Sequence, residues 1–330
     1  MRFGLALPQY DYSLPGSGPI TWPDLSGWAL RAESLGFDSI WLSDHLFYDL
    51  GRYGGQAGYQ AGVECFTGLA GLAAVTSRVR LGSLVVCNDL RNPALLAKMA
   101  STVDVLSGGR LELGIGAGWF LPEYRAAGIP FDPPGVRISR LAEALQILRR
   151  LLDGEEVSFS GRHYRLEGAR CLPRPLQERL PLLVGGAGDR VTGLAGRLAD
   201  GFNSAWAWDV DDFGERVQMV DQAARAAGRN PSEIAKTVGL YVLGGRTEAD
   251  VARRWDRYVA CSPAGRRFPP HGLWGADKLA GTYERIVHKV LAFERVGVTQ
   301  IMLTFGSIPF QVCDPDAVDE FMAEVAPLVV

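Results

Sequence analysis

The sequence predicts a single (β/α)8 barrel domain, α/β in class, spanning residues 1–330. Two observations predict it. Short apolar runs alternate with longer amphipathic segments along the whole chain, the pattern of βα units built on a parallel sheet. Eight such runs can be picked out, and polar or glycine-rich residues follow several of them directly. A doubly wound open sheet is the alternative, but eight units over this length suit a closed barrel better. The length does not force a second domain, because α/β barrels commonly run past about 250 residues as one.

Residues 2–7 read as the first strand. Leu25, Trp28, Ala32 and Leu35 then fall on one helical face, and Gly36 ends that helix. Ser39–Leu42 is the second strand, followed by a loop rich in Tyr and Gly as far as Gly62. A helix over 64–76 leads to a third strand at 79–86. Pro93 opens a helix with Leu96, Met99, Val103 and Leu106 on one side, and Gly108-Gly109 stops it. The fourth strand is 110–115. Ile138, Leu141, Leu145, Leu148 and Leu152 mark a long amphipathic helix. Residues 156–166 alternate about Ser160-Gly161-Arg162 and read as a hairpin inserted between barrel units. Strands five and six are 180–184 and 201–205, with a helical stripe of Phe213, Val217, Val220 and Ala224 after them. Strand seven is 236–243 and strand eight 298–305. Between these two lie helices near 248–259 and 283–295, joined by a Pro- and Gly-rich stretch at 262–275. A last helix covers 316–325.

Composition narrows the function classes. The chain is 47% hydrophobic and 22% charged, an ordinary globular profile. The net charge is −3 with no basic stripe, so nucleic acid is not expected as a partner. The five cysteines (Cys65, Cys87, Cys171, Cys261, Cys313) are scattered and form no C-x-x-C pair, which fits free thiols in a reducing cytosol. The opening Met-Arg-Phe-Gly-Leu-Ala-Leu is broken by Pro8 and does not read as a signal peptide. No apolar run approaches the roughly 20 residues that span a bilayer. The expectation is a soluble cytoplasmic protein, away from membranes, acting on a small molecule.

Chemistry in such a barrel sits at the C-terminal strand ends. Ile40-Trp41-Leu42 runs into Ser43-Asp44-His45, Leu113-Gly114-Ile115 into Gly116-Ala117-Gly118-Trp119, and Leu182-Leu183-Val184 into Gly185-Gly186-Ala187-Gly188. Gly185–Gly188, ahead of a helical segment, has the makings of a phosphate cradle, since backbone N–H groups there can approach an anion closely. The same glycines also suit a tight βα turn, and neither cluster is a G-x-G-x-x-G or Walker A loop. His45 is one of four histidines and is placed to hydrogen-bond a carbonyl or move a proton. His163, His271 and His288 read as surface or packing residues. Tyr10, Trp41, Trp119, Trp206 and Trp208 can wall an apolar pocket or simply pack in the core. No His/Cys spacing suggests a metal, and no G-x-S-x-G elbow suggests a hydrolase.

These segments together resemble the luciferase-like monooxygenase superfamily, and within it the group that uses coenzyme F420. The resemblance rests on residues 3–8, Gly36-Phe37-Asp38-Ser39-Ile40-Trp41-Leu42-Ser43-Asp44-His45, residues 78–98, Ala199-Asp200-Gly201-Phe202, and above all Leu106-Ser107-Gly108-Gly109-Arg110-Leu111-Glu112-Leu113-Gly114-Ile115-Gly116-Ala117-Gly118-Trp119. It implies an F420-dependent oxidoreductase transferring a hydride to or from a small organic substrate, with His45 as the catalytic residue. Asp44 and His45 would border the cofactor ring. Residues 82–87 would bulge against its back face, with Leu84-Val85 where relatives carry a non-prolyl cis peptide, and Cys87 closing the segment. Gly116, Ala117 and Gly118, with Gly185, Gly186, Ala187 and Gly188, would hold the ribityl chain and phosphate. A homodimer is implied as well.

The chain also departs from known branches. Trp119 stands where the family's sugar-phosphate dehydrogenases place a Glu, which argues against sugar-phosphate oxidation and leaves the second acid–base group unassigned, with Glu64 and Glu123 as substitutes. No luciferase-type Arg for a flavin phosphate stands in Gly116-Ala117-Gly118, which favours the deazaflavin. The alternatives are a two-component monooxygenase using reduced FMN from a partner flavin reductase, and a barrel that binds cofactor without turnover.

Overall fold

The computed structural model describes residues 1–16, 18–53, 58–262 and 269–329. Part of the Pro- and Gly-rich stretch and of the Tyr- and Gly-rich loop therefore lies outside the described residues. Eight parallel strands follow one another around a closed ring: β1 Arg2–Ala6, β2 Ser39–Leu42, β3 Arg80–Ser83, β4 Leu111–Gly116, β5 Leu182–Gly185, β6 Gly201–Trp206, β7 Ala235–Gly245 and β8 Gln300–Thr304. Closure is made by β8 against β1, with Arg2 opposite Gln300 and Leu5 opposite Leu303. The expected barrel is the observed fold.

The helices occupy the predicted intervals. They are α1 Trp22–Leu35, α2 Cys65–Val75, α3 Pro93–Leu106, α4 Pro134–Leu152, α5 Asp189–Leu198, α6 Val210–Ala226, α7 Glu248–Ala260, α8 Tyr283–Arg295 and α9 Pro315–Glu324. Their ends follow local chemistry. Thr21 and Asp24 form a reciprocal capping box at the start of α1, and Gly36 ends it at φ 86°. Pro93 opens α3 after Asn92, whose side chain accepts the Ala94 N–H. The inserted hairpin pairs Val157–Ser160 with Arg165–Ala169. Among the described residues no helix is long and apolar enough to cross a membrane.

The main apolar core lies between the strands and the surrounding helices. A second cluster fills the barrel interior beneath the C-terminal mouth, centred on Trp41 and Met302. Trp41 is fully buried, and its indole N–H donates to Ser39 Oγ at 2.7 Å. A Cβ on Gly82 would collide with the indole, so this glycine is the space into which Trp41 packs.

Three departures from the expected elements lie in or beside the sheet. The predicted third strand is interrupted: after Ser83 the Leu84–Val85 peptide is cis, and Val86–Cys87 resumes pairing with β4 at Ile115 and Gly116. A second non-prolyl cis peptide, Ala205–Trp206, ends β6. Leu279–Thr282 forms an additional short strand beside the far half of β7, at Val242–Gly245. Four residues with a central glycine carry too little alternation to stand out from the connection around them.

Candidate active site

The C-terminal ends of the strands surround a cavity of about 530 Å³. Every candidate residue named from the sequence for cofactor or proton chemistry lines it except Gly188, which caps α5 just outside, and Glu64. Tyr10, Trp119 and Trp206 also line it. Trp41 instead fills the barrel below, and Trp208 packs on Phe213 while donating to Ser204 Oγ.

The turn after β2 is held from both sides. Gln9 Nε2 donates to Ser43 O at 2.8 Å and to Val63 O at 2.9 Å, and Gln9 Oε1 accepts the Ser43 N–H at 2.8 Å. Asp44 accepts two hydrogen bonds from Arg91, at 2.6 and 2.8 Å, and the Cys87 N–H at 3.0 Å. Burial pushes the Asp44 carboxyl upward, opposed by Arg91 and by the Cys87 amide. Arg91 in turn reaches Glu64 Oε1 at 2.7 Å. Asp44 is thus a brace tying the β2 turn to the interrupted third strand, and Glu64 belongs to that brace rather than to proton transfer.

His45 has a different partner. Its Nδ1 lies 3.2 Å from Glu123 Oε2, and the other oxygen of Glu123 accepts the Leu46 and Phe47 N–H groups at 2.5 and 3.2 Å. Glu123 comes from the short helix Leu121–Ala126 and is 1% exposed. Burial opposes its ionisation, but the His45 bond and charge and the two amides outweigh it and hold the carboxyl below the usual range. The imidazole stacks on Tyr48, with ring centroids 4.5 Å apart, and meets Trp119 and Phe120 edge-on. Among the described residues Nε2 makes no hydrogen bond, and it is the ring atom left for a bound molecule.

The glycines prove to have two kinds of work. A Cβ on Gly116 would crowd Gly185 O and Val85, one on Gly185 would crowd Val85 at 2.7 Å, and one on Gly118 would strike Tyr124 OH and Cys87. These three make room for packing around the interrupted strand. Gly186 donates its N–H to Asn203 O at 3.0 Å, so that amide is already committed. Gly188 differs: a Cβ there would meet nothing within 4 Å. Ahead of the first turn of α5 there is open space, and Ala187 and Val191 on either side already border the cavity. Of the glycines in the two clusters, Gly188 is thus the one with open space around it, and it stands at a helix N-terminus.

Cys87 faces the cavity as a neutral thiol. Its Sγ lies 3.2 Å from Tyr124 OH, and burial pushes it up to about 11. Gln9, Arg91 and Asn203 went unrecognised in the sequence. An Asn inside the apolar run of β6 was the one available signal: its amide donates to Thr237 Oγ1 at 2.9 Å and lines the cavity floor. Among the described residues no cluster of potential metal ligands occurs.

Comparison with known proteins agrees with this geometry. A family model described as luciferase-like monooxygenase matches residues 1–300. The chain is similar to an F420-dependent glucose-6-phosphate dehydrogenase of Kineococcus radiotolerans, 35% identical over 218 residues that cover 66% of this chain and 62% of that protein. It is also similar to the pyrimidine monooxygenase RutA of Stutzerimonas stutzeri, 33% identical over 236 residues, covering 70% of this chain and 63% of that one. The match spans less than two thirds of the length of these relatives. Among solved structures, the monooxygenase RslO1 from Streptomyces bottropensis superposes with a TM-score of 0.80 at 22% identity, covering 100% of both chains.

Proposed function

The chain belongs to the luciferase-like monooxygenase family, and from that premise we propose that it is an oxidoreductase transferring a hydride between coenzyme F420 and a small organic substrate. The observation that carries the proposal is the His45–Glu123 pair, set at the mouth of a cavity walled largely by apolar and aromatic side chains.

The cavity fits the cofactor on two counts. Its volume lies in the range of small-molecule sites, about 300–1,000 Å³, and the open space before α5 accepts an anionic arm while Leu84 and Val85 offer an apolar face for a ring. When bound, the deazaflavin supplies the two-electron chemistry. The protein supplies orientation and a proton. Glu123 holds Nδ1, so the imidazole cannot turn, and Nε2 is left to give or take a proton at the oxygen of the substrate or at a ring carbonyl. Tyr48, Trp119 and Phe120 pack around the imidazole and fix its plane. The reading includes a cytoplasmic homodimer. Similarity to a pyrimidine monooxygenase supports a second reading, in which reduced FMN comes from a partner flavin reductase and oxygen is the co-substrate.

Equilibrium titration separates the two. The expected result is tighter binding of F420 than of FMN, followed by fluorescence; tight FMN binding with no detectable F420 binding reverses the choice. A second measurement tests the cradle. Gly188→Asp sets its Cβ in open space and brings a negative charge to the α5 start, so cofactor affinity should fall by at least about tenfold without a lowered thermal midpoint, since Asp also caps a helix well. Unchanged affinity would move the phosphate site elsewhere.

A further inference from the structure

The strand order divides the cavity into two unlike halves. On the side of β3, β4 and β5 its wall is mainly aliphatic side chains and bare backbone, with Leu84, Val85, Gly116 and Gly185. From β6 round through β7, β8 and β1 to β2 the wall is mainly rings. Each of these strands, or the loop after it, supplies one: Trp206, Tyr241, Phe310, Tyr10 and Tyr48 in that order. The rings touch in series. Centroids are 5.9 Å apart from Tyr241 to Trp206, 5.6 Å from Trp206 to Phe310, 6.4 Å from Phe310 to Tyr10 and 5.2 Å from Tyr10 to Tyr48. The series ends on the His45 imidazole, 4.5 Å from Tyr48. Phe310 joins its two ends, and it alone among the described non-glycine residues has a positive φ, 58°. That conformation is rare for an aromatic residue and persists where the surroundings fix it. Gln311 does so here, accepting the Ser307 N–H at 3.0 Å and donating to Tyr12 O at 3.1 Å.

We propose, resting on the placement of the cofactor ring against Leu84 and Val85, that this arc of rings selects the substrate. It takes a flat, uncharged aromatic compound with one carbonyl or hydroxyl oxygen, its ring against Trp206 and Phe310 and its oxygen at His45 Nε2. An aromatic ligand there makes offset and edge-to-face contacts at the spacing the wall rings keep among themselves, about 4.5–7 Å. A saturated ring of the same size displaces the same water but gains burial alone. Polar groups on this side are engaged within the protein. Tyr10 OH is paired with Ser43 Oγ, and Ser204 Oγ accepts the Trp208 indole N–H at 3.1 Å. The carboxylates are engaged too: His45 and two amides hold Glu123, while Arg91 and the Cys87 amide hold Asp44. A charged ligand would therefore shed its hydration against the rings and meet charges already paired. One hydrogen bond to Nε2 then sets which atom of the ligand faces the cofactor.

Binding to the intact protein, with and without F420, is measured by ligand-observed NMR titration. The probes are acetophenone, its saturated counterpart cyclohexyl methyl ketone, benzyltrimethylammonium and glucose 6-phosphate. Acetophenone should bind at least about fivefold more tightly than the cyclohexyl ketone, and more tightly than either charged probe. Phe310→Leu and Trp206→Leu should each remove most of the preference for the aromatic ketone. Neither side chain stands on the β3–β5 side, so the F420 Kd should hold in both variants. Equal affinity for the two ketones, tighter binding of the ammonium or the phosphate ester, or no detectable binding of acetophenone in either state overturns the proposal. F420 binding without an aromatic preference defeats this proposal and leaves the hydride-transfer reading standing. An aromatic preference without F420 binding defeats that reading and keeps the arc. The wild-type series decides the matter by itself should the leucine variants fail to fold.

Discussion

His45→Ala is expected to lower kcat about 10²–10⁴-fold, the usual contribution of a positioned acid–base group, while cofactor affinity changes little. The geometry supplies the reason. Nδ1 is tied to Glu123, the ring is clamped by Tyr48, Trp119 and Phe120, and Nε2 is the atom left for a reacting group. Removing the imidazole takes away a group placed to give or take a proton at the site but leaves Leu84, Val85 and the α5 start in place to hold the cofactor. The measurement compares turnover on any reactive substrate, cofactor Kd and thermal midpoint. Unchanged turnover with a lowered midpoint would show that His45 only packs.

Glu123→Gln should cost almost as much turnover while sparing the fold. Its carbonyl oxygen can still accept the Leu46 and Phe47 N–H groups, but its NH2 would then face His45 Nδ1 and force that nitrogen to accept, reversing the tautomer. Glu123→Ala leaves both amides without their acceptor and should destabilise the protein by about 1–3 kcal/mol per unsatisfied group. Because the two side chains act as a unit, His45→Ala combined with Glu123→Gln should be no slower than His45→Ala alone. Stability has its own signature. The Glu123 carboxyl is held below its ordinary value of 4.5, so the folded protein binds this proton less readily than the unfolded chain. Its contribution is complete above that value and is lost as pH falls through the lower folded one. The midpoint difference between wild type and Glu123→Gln should therefore stay constant from neutrality down to about 4.5 and shrink below it. A difference that grows with acidity would mean that the carboxylate is not what holds the loop.

The barrel was legible because period-2 and period-3.6 patterns are local, and several are bounded by local signals such as Gly36, Pro93 and Gly108-Gly109. The position of the site was legible for a related reason: strand ends are where a barrel exposes backbone and polar groups, and Asp44, His45 and the glycines stood there. What stayed hidden depends on partners distant in sequence. Nothing near Gly116 or Gly185 announces that Val85 will press against both. Nor does anything near Arg91 show that it will grip Asp44, 47 positions earlier. Glu123 was visible as a carboxylate near the expected mouth, but whether it would reach His45 depended on the turn of the short helix Leu121–Ala126.

Barrel closure also shapes how the chain must be made. β1 waits for β8, and Arg2 has no strand on its outer side until Gln300 arrives. While synthesis is in progress, β1 and whichever strand was last completed present unpaired N–H and C=O groups, flanked by side chains as apolar as Phe3, Leu5, Val238 and Leu240. Such edges pair readily with other chains, and a contact this distant in sequence forms late. The finished molecule has no edge strand in its barrel, whereas a chain cut short before β8 keeps two. Shortened products that lack β8 are accordingly the ones most exposed to aggregation, and the segment carrying β8 protects the one carrying β1.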